Sequence, residues 1–455
     1  MTTSAPPSLP AHTTDEVRSV LADPLLQELH HGLGGPYHLL FPGRFDTNAA
    51  AFRAAMAQAG VDGQIYFAKK ANKAAVYVER AAALGLGVDV ASHGELREAL
   101  AHGVRGTDVV VTGPAKSEQL LRVAVLQGAL VAVDALDELD RVLAVASDVG
   151  RTARVLLRRL PSVQPHSRFG LDAGETEAAL RRCADRDGAV DLEGFSFHLS
   201  GYDVRQRADL AGESVRLCRR ARELGLRADR VSIGGGFAVD YVGARDWRRF
   251  SEEQRPEHYH AGKAFAGFYP YHSPVAGADA LRAVLAATPA GEHASLAGLL
   301  RSAGVRLLVE PGRALLDQAG CTVFAVQGVK EREGYAILTV DGTSLSLSEQ
   351  WFESEYLPEP VLVPGTPYGD RDGPYPACVG AATCLESDLL TWRKVPFPVR
   401  PAAGDLLVYL NTAGYQMDSN ESPFHELPLP PKVVIEHPVD QSASARPRWR
   451  LDRHP

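Results

Sequence analysis

The strongest constraint in this chain is a regular alternation of two patterns. Eight short apolar runs sit at Ile65–Ala68, Val88–Ser92, Val109–Gly113, Leu130–Asp134, Val155–Leu160, Gly194–Leu199, Val231–Gly236 and Leu307–Glu310. Amphipathic stretches lie between most of them, at Ala74–Leu84, Glu95–Ala101, Ser117–Leu126, Leu136–Ala146, Glu175–Cys183, Gly212–Leu224 and Ala278–Ala287. Strands alternating with helices build a parallel sheet, because a parallel neighbour is reached only by a crossover. Eight such units in about 250 residues match the size of a (β/α)8 barrel. A doubly wound open sheet competes, but it usually has fewer strands and a Gly-x-Gly-x-x-Gly after the first, which is absent here.

After Arg313 the pattern changes. Cys321–Val329, Tyr335–Asp341, Pro360–Val363, Asp405–Asn411 and Lys432–Glu436 read as strands joined by Pro- and Gly-rich connections. The expected fold class is α/β: a TIM-type (β/α)8 barrel over residues 37–315, then an all-β C-terminal domain over 316–440, to which 37–41 can lend a strand. Residues 1–36 read as a mobile arm plus one helix from about Asp15 to His30. The polar stretch 441–455 is expected to be disordered. The connection from Tyr241 to Ala278 is long and rich in Tyr, His and Pro, so it is a lid or an interaction surface.

Composition excludes several classes of function. Among 455 residues, 48 are basic and 56 acidic, for a formal charge of −8, and no basic stripe offers a nucleic-acid surface. No apolar run is long enough to span a bilayer, and the small, Pro-rich start carries no signal core, so no membrane partner and a cytoplasmic location are expected. The five cysteines are scattered without metal-ligand spacing, so no metal is expected.

In such a barrel the site is built at the C-terminal ends of the strands. Those ends carry Lys70, Asp89, His198, the run Gly234-Gly235-Gly236, and Glu310-Pro311-Gly312-Arg313. A lysine can hold an aldehyde cofactor as a Schiff base. Glycine amides can cradle a phosphate. A carboxylate can keep a pyridine nitrogen protonated and so strengthen the ring as an electron sink. An imidazole can stack on that ring. These are the needs of pyridoxal 5′-phosphate. Each residue alone has a bland reading, as a core histidine, a tight turn or a strand-end ion pair; the ordered set carries the inference.

The chain resembles the fold-type III (alanine racemase-like) PLP-dependent decarboxylases, the group of diaminopimelate and ornithine decarboxylases. The matching pieces are Tyr66–Asn72, Gly87–Leu96, Ser167–Gly170, Phe195–Gly201, Ser232–Tyr241, Val309–Arg313, Gly380–Asp388 and Ala413–Asn420. They run in the family's order across roughly residues 37–437. The resemblance implies that Lys70 carries the cofactor, with Asp89 and Glu95 nearby. It implies that His198 stacks on the ring and Glu310 pairs with the ring nitrogen. Gly234, Gly235, Gly236, Gly312, Arg313 and Tyr415 would hold the phosphate. Cys384 would reach in from the second subunit of a homodimer and return a proton to carbon. An amino acid racemase or epimerase, or a non-catalytic PLP-binding relative, is the alternative.

Two departures stand out. The family's cysteine is normally followed by an acid that helps hold a distal ammonium group; here Leu385 follows it, with Glu386 next. Asp341 still matches another acid of that kind. Leu385, the aromatic pair Trp351-Phe352 and the long 241–278 connection point to a substrate other than plain diaminopimelate, lysine or ornithine, suited to specialised biosynthesis. Arg168 replaces a lysine that pairs across the dimer with the acid matching Asp388, so an Arg168–Asp388 pair is expected.

Overall fold

The computed structural model describes residues 6–185, 188–349, 353–365, 371, 373–436 and 447–452. Trp351-Phe352 and most of the 441–455 stretch lie outside the described residues. Eight parallel strands close a barrel: β2 (Gly63–Ala68), β3 (Gly87–Val90), β4 (Val109–Val111), β5 (Leu130–Val133), β6 (Ala153–Arg158), β7 (Val190–Ser196), β8 (Arg230–Ser232) and β9 (Arg306–Val309). Closure is made where Gly63, Gln64 and Ile65 pair with Leu307, Leu308 and Val309. Each apolar run of the sequence is one strand, and most strands end a residue or more before the run does. Tyr66, Val110, Leu130, Leu156 and Leu308 form an apolar cluster of their own. Glu193 is buried and takes Arg154 and Arg230, each at 2.7 Å.

The strand β1 (Tyr37–Leu40) belongs to the other domain. It runs antiparallel to β10 (Gly320–Arg332) and parallel to β16 (Lys432–Glu436). The β domain continues with β11 (Tyr335–Val340), β12 (Val361–Val363), β13 (Tyr375–Gly380), β14 (Leu389–Phe397) and β15 (Leu406–Leu410). The sequence reading lacked β13 and β14. It also lacked the helix Pro42–Gln58, whose Phe45, Ala49, Phe52 and Met56 face the core at helical spacing. Alanines on the other faces of that helix blur its apolar stripe.

Three expectations are corrected. The N-terminal helix is two helices, Asp15–Leu21 and Leu25–Leu33, divided at Asp23-Pro24, where the ring of Pro24 cannot continue a helix. Residues 6–14 are anchored: Leu9 is fully buried, and its amide donates to Glu359 Oε1 at 3.0 Å. The tail is ordered over Arg448–Leu451, a strand β17 antiparallel to β16. Just beyond it, the Asp452 carboxylate accepts the amides of Ala75 and Val76 at 2.7 and 2.9 Å. Pairing to a buried strand and capping a helix supply the contacts that composition does not foresee.

The 241–278 connection is an interaction surface with this chain's own β domain. Tyr241, Phe250, Tyr269 and Tyr271 share one apolar cluster with Phe324, Tyr356 and Tyr409. Lys394 Nζ also donates to the carbonyl of Glu257 at 2.8 Å. Among the described residues, no helix is long and apolar enough to cross a membrane.

Candidate active site

A cavity of about 870 Å³ opens at the C-terminal ends of the barrel strands. Lys70, His198, Gly235, Gly236, Glu310, Gly312, Arg313 and Tyr415 all line it, as the sequence predicts. Tyr202, Tyr269 and Asp418 line it too. A second chamber of about 270 Å³ lies beside the first, and Lys70, His198 and Glu310 face both.

Strand β2 stops at Ala68 and the chain turns through Lys69–Ala71 in a single 3-10 turn. Asn72 fixes that turn. It is fully buried, donates to the Ala413 carbonyl at 2.8 Å and accepts the Ala74 amide at 2.8 Å. The Ala71 carbonyl accepts the Tyr415 amide at 2.8 Å. The lysine turn is thus clamped to the β domain. Lys70 Nζ lies 3.5 Å from Asp89 Oδ2. Asp89, with Tyr415 and Glu310 further off, holds the amine above the ordinary lysine range, against the effect of burial. Asp89 is itself fixed by the Thr112 hydroxyl at 2.6 Å.

Glu310 follows β9. Ser232 Oγ donates to its Oε1 at 2.6 Å, and its second oxygen takes no hydrogen bond among the described residues. Burial and the nearby Asp89 push this carboxyl up to about 7. His198 is held by burial, and by the charges of Lys70, Arg158 and Arg207, at about 3, so it is a neutral flat ring. It lies against the glycine turn: a Cβ at Gly234 would meet His198 Nδ1 at 3.1 Å. Gly234 and Gly236 have φ of +65° and +76°, values that L side chains rarely adopt. Among the described residues, the amides of Gly235, Gly236 and Phe237 have no acceptor, although all three residues line the cavity.

These features fit pyridoxal 5′-phosphate. There is an amine for the aldehyde, a buried carboxylate with a free oxygen for the ring nitrogen, and unpaired amides for the phosphate. Arg313 differs from expectation in its surroundings. Its guanidinium sits between the rings of Tyr269 and Tyr415, at 4.2 and 5.0 Å from their centroids, and 3.7 Å from the buried Glu349. The stacked arginine walls the cavity, and its buried Nη1 has no hydrogen-bond partner among the described residues.

The remaining predicted residues divide between this cavity and other parts of the chain. Glu95 lines the cavity and accepts the Ala91 amide at 2.7 Å. Asp341 is not brought to the cavity. Its Oδ1 accepts the Ala325 amide at 2.8 Å and its Oδ2 faces His30 at 3.8 Å, because the carboxylate ties off the β10–β11 hairpin. Cys384, Leu385 and Glu386 are exposed and do not line this chain's cavity. Arg168 and Asp388 do not meet within one chain. Arg168 stacks on Phe169 at 4.2 Å, and Asp388 accepts the Ser344 amide at 2.9 Å and the Thr383 hydroxyl at 2.6 Å.

Sequence reasoning missed Arg207, Ser232, Tyr269 and Asn72. Ser232 and Asn72 sit inside the matched motifs and could have been found there. Tyr269 belongs to a connection whose aromatics read as loop packing. Arg207 is one of several arginines on its helix and carries no local signal.

Known proteins place this geometry. Residues 44–267 match the family described as pyridoxal-dependent decarboxylase, pyridoxal binding domain. The chain is 37% identical to the uncharacterized protein y4yA of Sinorhizobium fredii, over 94% of this chain and 93% of that one. It is 28% identical to a diaminopimelate decarboxylase of Actinosynnema pretiosum, over 90% and 86%. The fold is also that of a diaminopimelate decarboxylase from M. jannaschii solved with L-lysine (TM-score 0.71, 20% identity, 90% and 89% covered). A lysine/ornithine decarboxylase from Vibrio vulnificus solved with putrescine shares it as well (TM-score 0.68, 20% identity, 93% and 99% covered). With its lysine turn, buried carboxylate and glycine cradle on a closed eight-stranded barrel, the chain belongs to the fold-type III PLP-dependent amino acid decarboxylases, and pyridoxal 5′-phosphate is its cofactor.

Proposed function

We propose that this enzyme removes the α-carboxylate of an amino acid whose distal group is bulkier or less cationic than that of diaminopimelate, lysine or ornithine. The reading places it in a cytoplasmic, specialised biosynthetic route, working as a homodimer. One observation supports it: a leucine follows Cys384 where the family carries an acid, and the other candidate acid, Asp341, is engaged inside the β domain. Leu385 cannot accept a hydrogen bond, and a cation buried against it would be unpaired. The Asp341 carboxylate is used inside the β domain.

When bound, the cofactor supplies the aldehyde that captures the substrate amine and the ring that accepts the electron pair left by carbon dioxide. The chain does the rest. Lys70 would hold the cofactor through its aldehyde. Glu310 keeps a proton at the ring nitrogen, which maintains the sink and favours loss of carboxylate over racemisation. His198, neutral and flat, would support one ring face. Gly235 and Gly236 would hold the phosphate through their free amides, while Gly234, whose amide donates to Ser232 Oγ at 3.2 Å, shapes the turn. Cys384, offered by a second copy of the chain, returns the proton to carbon.

The test is carbon dioxide release across a panel of D- and L-amino acids, with mass detection of the amine product. A bulky or weakly cationic substrate turning over faster than the three diamino acids is expected. Preference for lysine, ornithine or diaminopimelate would overturn the substrate reading. Release that persists in Lys70→Ala would overturn the assignment of the lysine.

A further inference from the structure

We propose that Arg207 is a positioning residue for cofactor binding: by gathering the carbonyls of the glycine turn, it leaves the turn's amides and a positive charge for the phosphate. The inference rests on the reading that this turn is the phosphate cradle.

Arg207 lies in the first turn of the helix Val204–Glu223, behind the turn that follows β8, and is 1% exposed. Its Nη1 donates to the carbonyls of Ile233 and Gly235 at 2.8 and 2.7 Å. Its Nη2 donates to those of Gly201 and Gly236 at 3.2 and 3.1 Å. Three of the four carbonyls belong to the segment 233–236. A peptide plane has two ends, so drawing its carbonyl one way turns its N–H the other. The carbonyls of Gly235 and Gly236 share their peptides with the amides of Gly236 and Phe237, which have no acceptor among the described residues and belong to residues that line the cavity; the amide that shares the Ile233 peptide, that of Gly234, donates to Ser232 Oγ at 3.2 Å. The fit is close: a Cβ at Gly236 would meet Arg207 Nη2 at 2.7 Å.

The charge is uncompensated. Among the described residues, no carboxylate forms an ion pair with Arg207, and the neighbouring Asp203 caps the helix through the Gln206 amide at 2.9 Å. Burial lowers the guanidinium to about 10, so it stays positive at neutral pH. Taking an unpaired cation out of water is costly, and an apolar side chain would fill the space at less cost. The arrangement is understandable if an anion arrives at the amides on the far side of the same peptides. Carbonyls polarised by a cation also make their amides better donors.

The experiment compares two ligands in the full chain: pyridoxal 5′-phosphate and pyridoxal, which lacks the phosphate. Binding is followed by visible absorption, with no need for turnover. In Arg207→Met, affinity for the phosphorylated ligand is expected to fall about 10- to 100-fold, with pyridoxal affinity within about twofold of wild type. Arg207→Lys, which keeps the charge but not the fork, is expected to fall between. Equal weakening of both ligands, or no loss in Arg207→Met, would overturn the assignment. Failure of both variants to fold would make Arg207 structural and overturn it as well. If wild type itself binds the two ligands equally, the phosphate reading of the turn falls first and takes the proposal with it.

Discussion

Cys384 Sγ lies 3.3 Å from His425 Nε2, although 41 residues separate them. Cys384 is exposed, and His425 is held at a φ of +60°. A thiol held by an imidazole on an open face fits the proposed reach into a second copy's cavity. Cys384→Ala is expected to lower kcat about 100-fold or more while leaving the cofactor absorption intact. His425→Gln should cost about tenfold, by loosening the thiol. Carbon dioxide release measures both, and a Cys384→Ala enzyme with wild-type rate would remove the thiol from the reaction.

Glu310 supplies a pH prediction. Its carboxyl is raised from 4.5 to about 7 in the folded protein. Its contribution to stability is therefore complete below pH 4.5 and lost as pH rises through about 7. Glu310→Gln removes this titration. Between about pH 5 and pH 8, the cofactor-free wild type should lose about 2 °C or more of Tm relative to the variant. Loading the cofactor should shrink the difference, because the ring N–H meets the carboxylate. Calorimetry showing a pH-independent gap would refute this.

Asn72 bonds both to its own turn and to the β domain. Asn72→Ala leaves the Ala413 carbonyl buried without its donor, at a cost of about 1–3 kcal/mol. Denaturant unfolding should show that loss, and cofactor affinity should fall with it, because Lys70 sits on the turn that Asn72 clamps.

Leu385→Asp restores an acid beside the thiol. It should raise kcat/KM for lysine, ornithine or diaminopimelate about tenfold relative to the native substrate. No change in the ranking across the amino acid panel would show that Leu385 does not set specificity.

Arg168→Glu tests the interface. If Arg168 meets Asp388 of a second copy, the charge reversal should weaken self-association about tenfold or more, seen by sedimentation velocity. Asp388→Ala is the less clean variant, because Asp388 also ties Ser344 and Thr383 to the loop carrying Cys384.

The barrel was legible because each of its strands is an apolar run bounded by a helical pattern, which is a local signal. The lysine, imidazole, carboxylate and glycines were legible because strand ends in a closed barrel must converge. Arg207 was not, because its partners are backbone carbonyls of a turn some 26 to 29 residues away, and carbonyls have no sequence signature. The contacts of Asp341 were not legible because a motif fixes a residue type, whereas the direction of its side chain depends on Ala325 and His30. The helix Pro42–Gln58 escaped because alanine is compatible with both its inner and outer faces.

The cap that Asp452 places on Ala75 and Val76 ties the segment just after Lys70 to residues made long after it. During synthesis, the barrel leaves the ribosome before the strand and carboxylate that finish the helix next to Lys70. Completion of the turn that carries Lys70 is therefore a late event, set by a carboxylate 377 residues beyond Ala75.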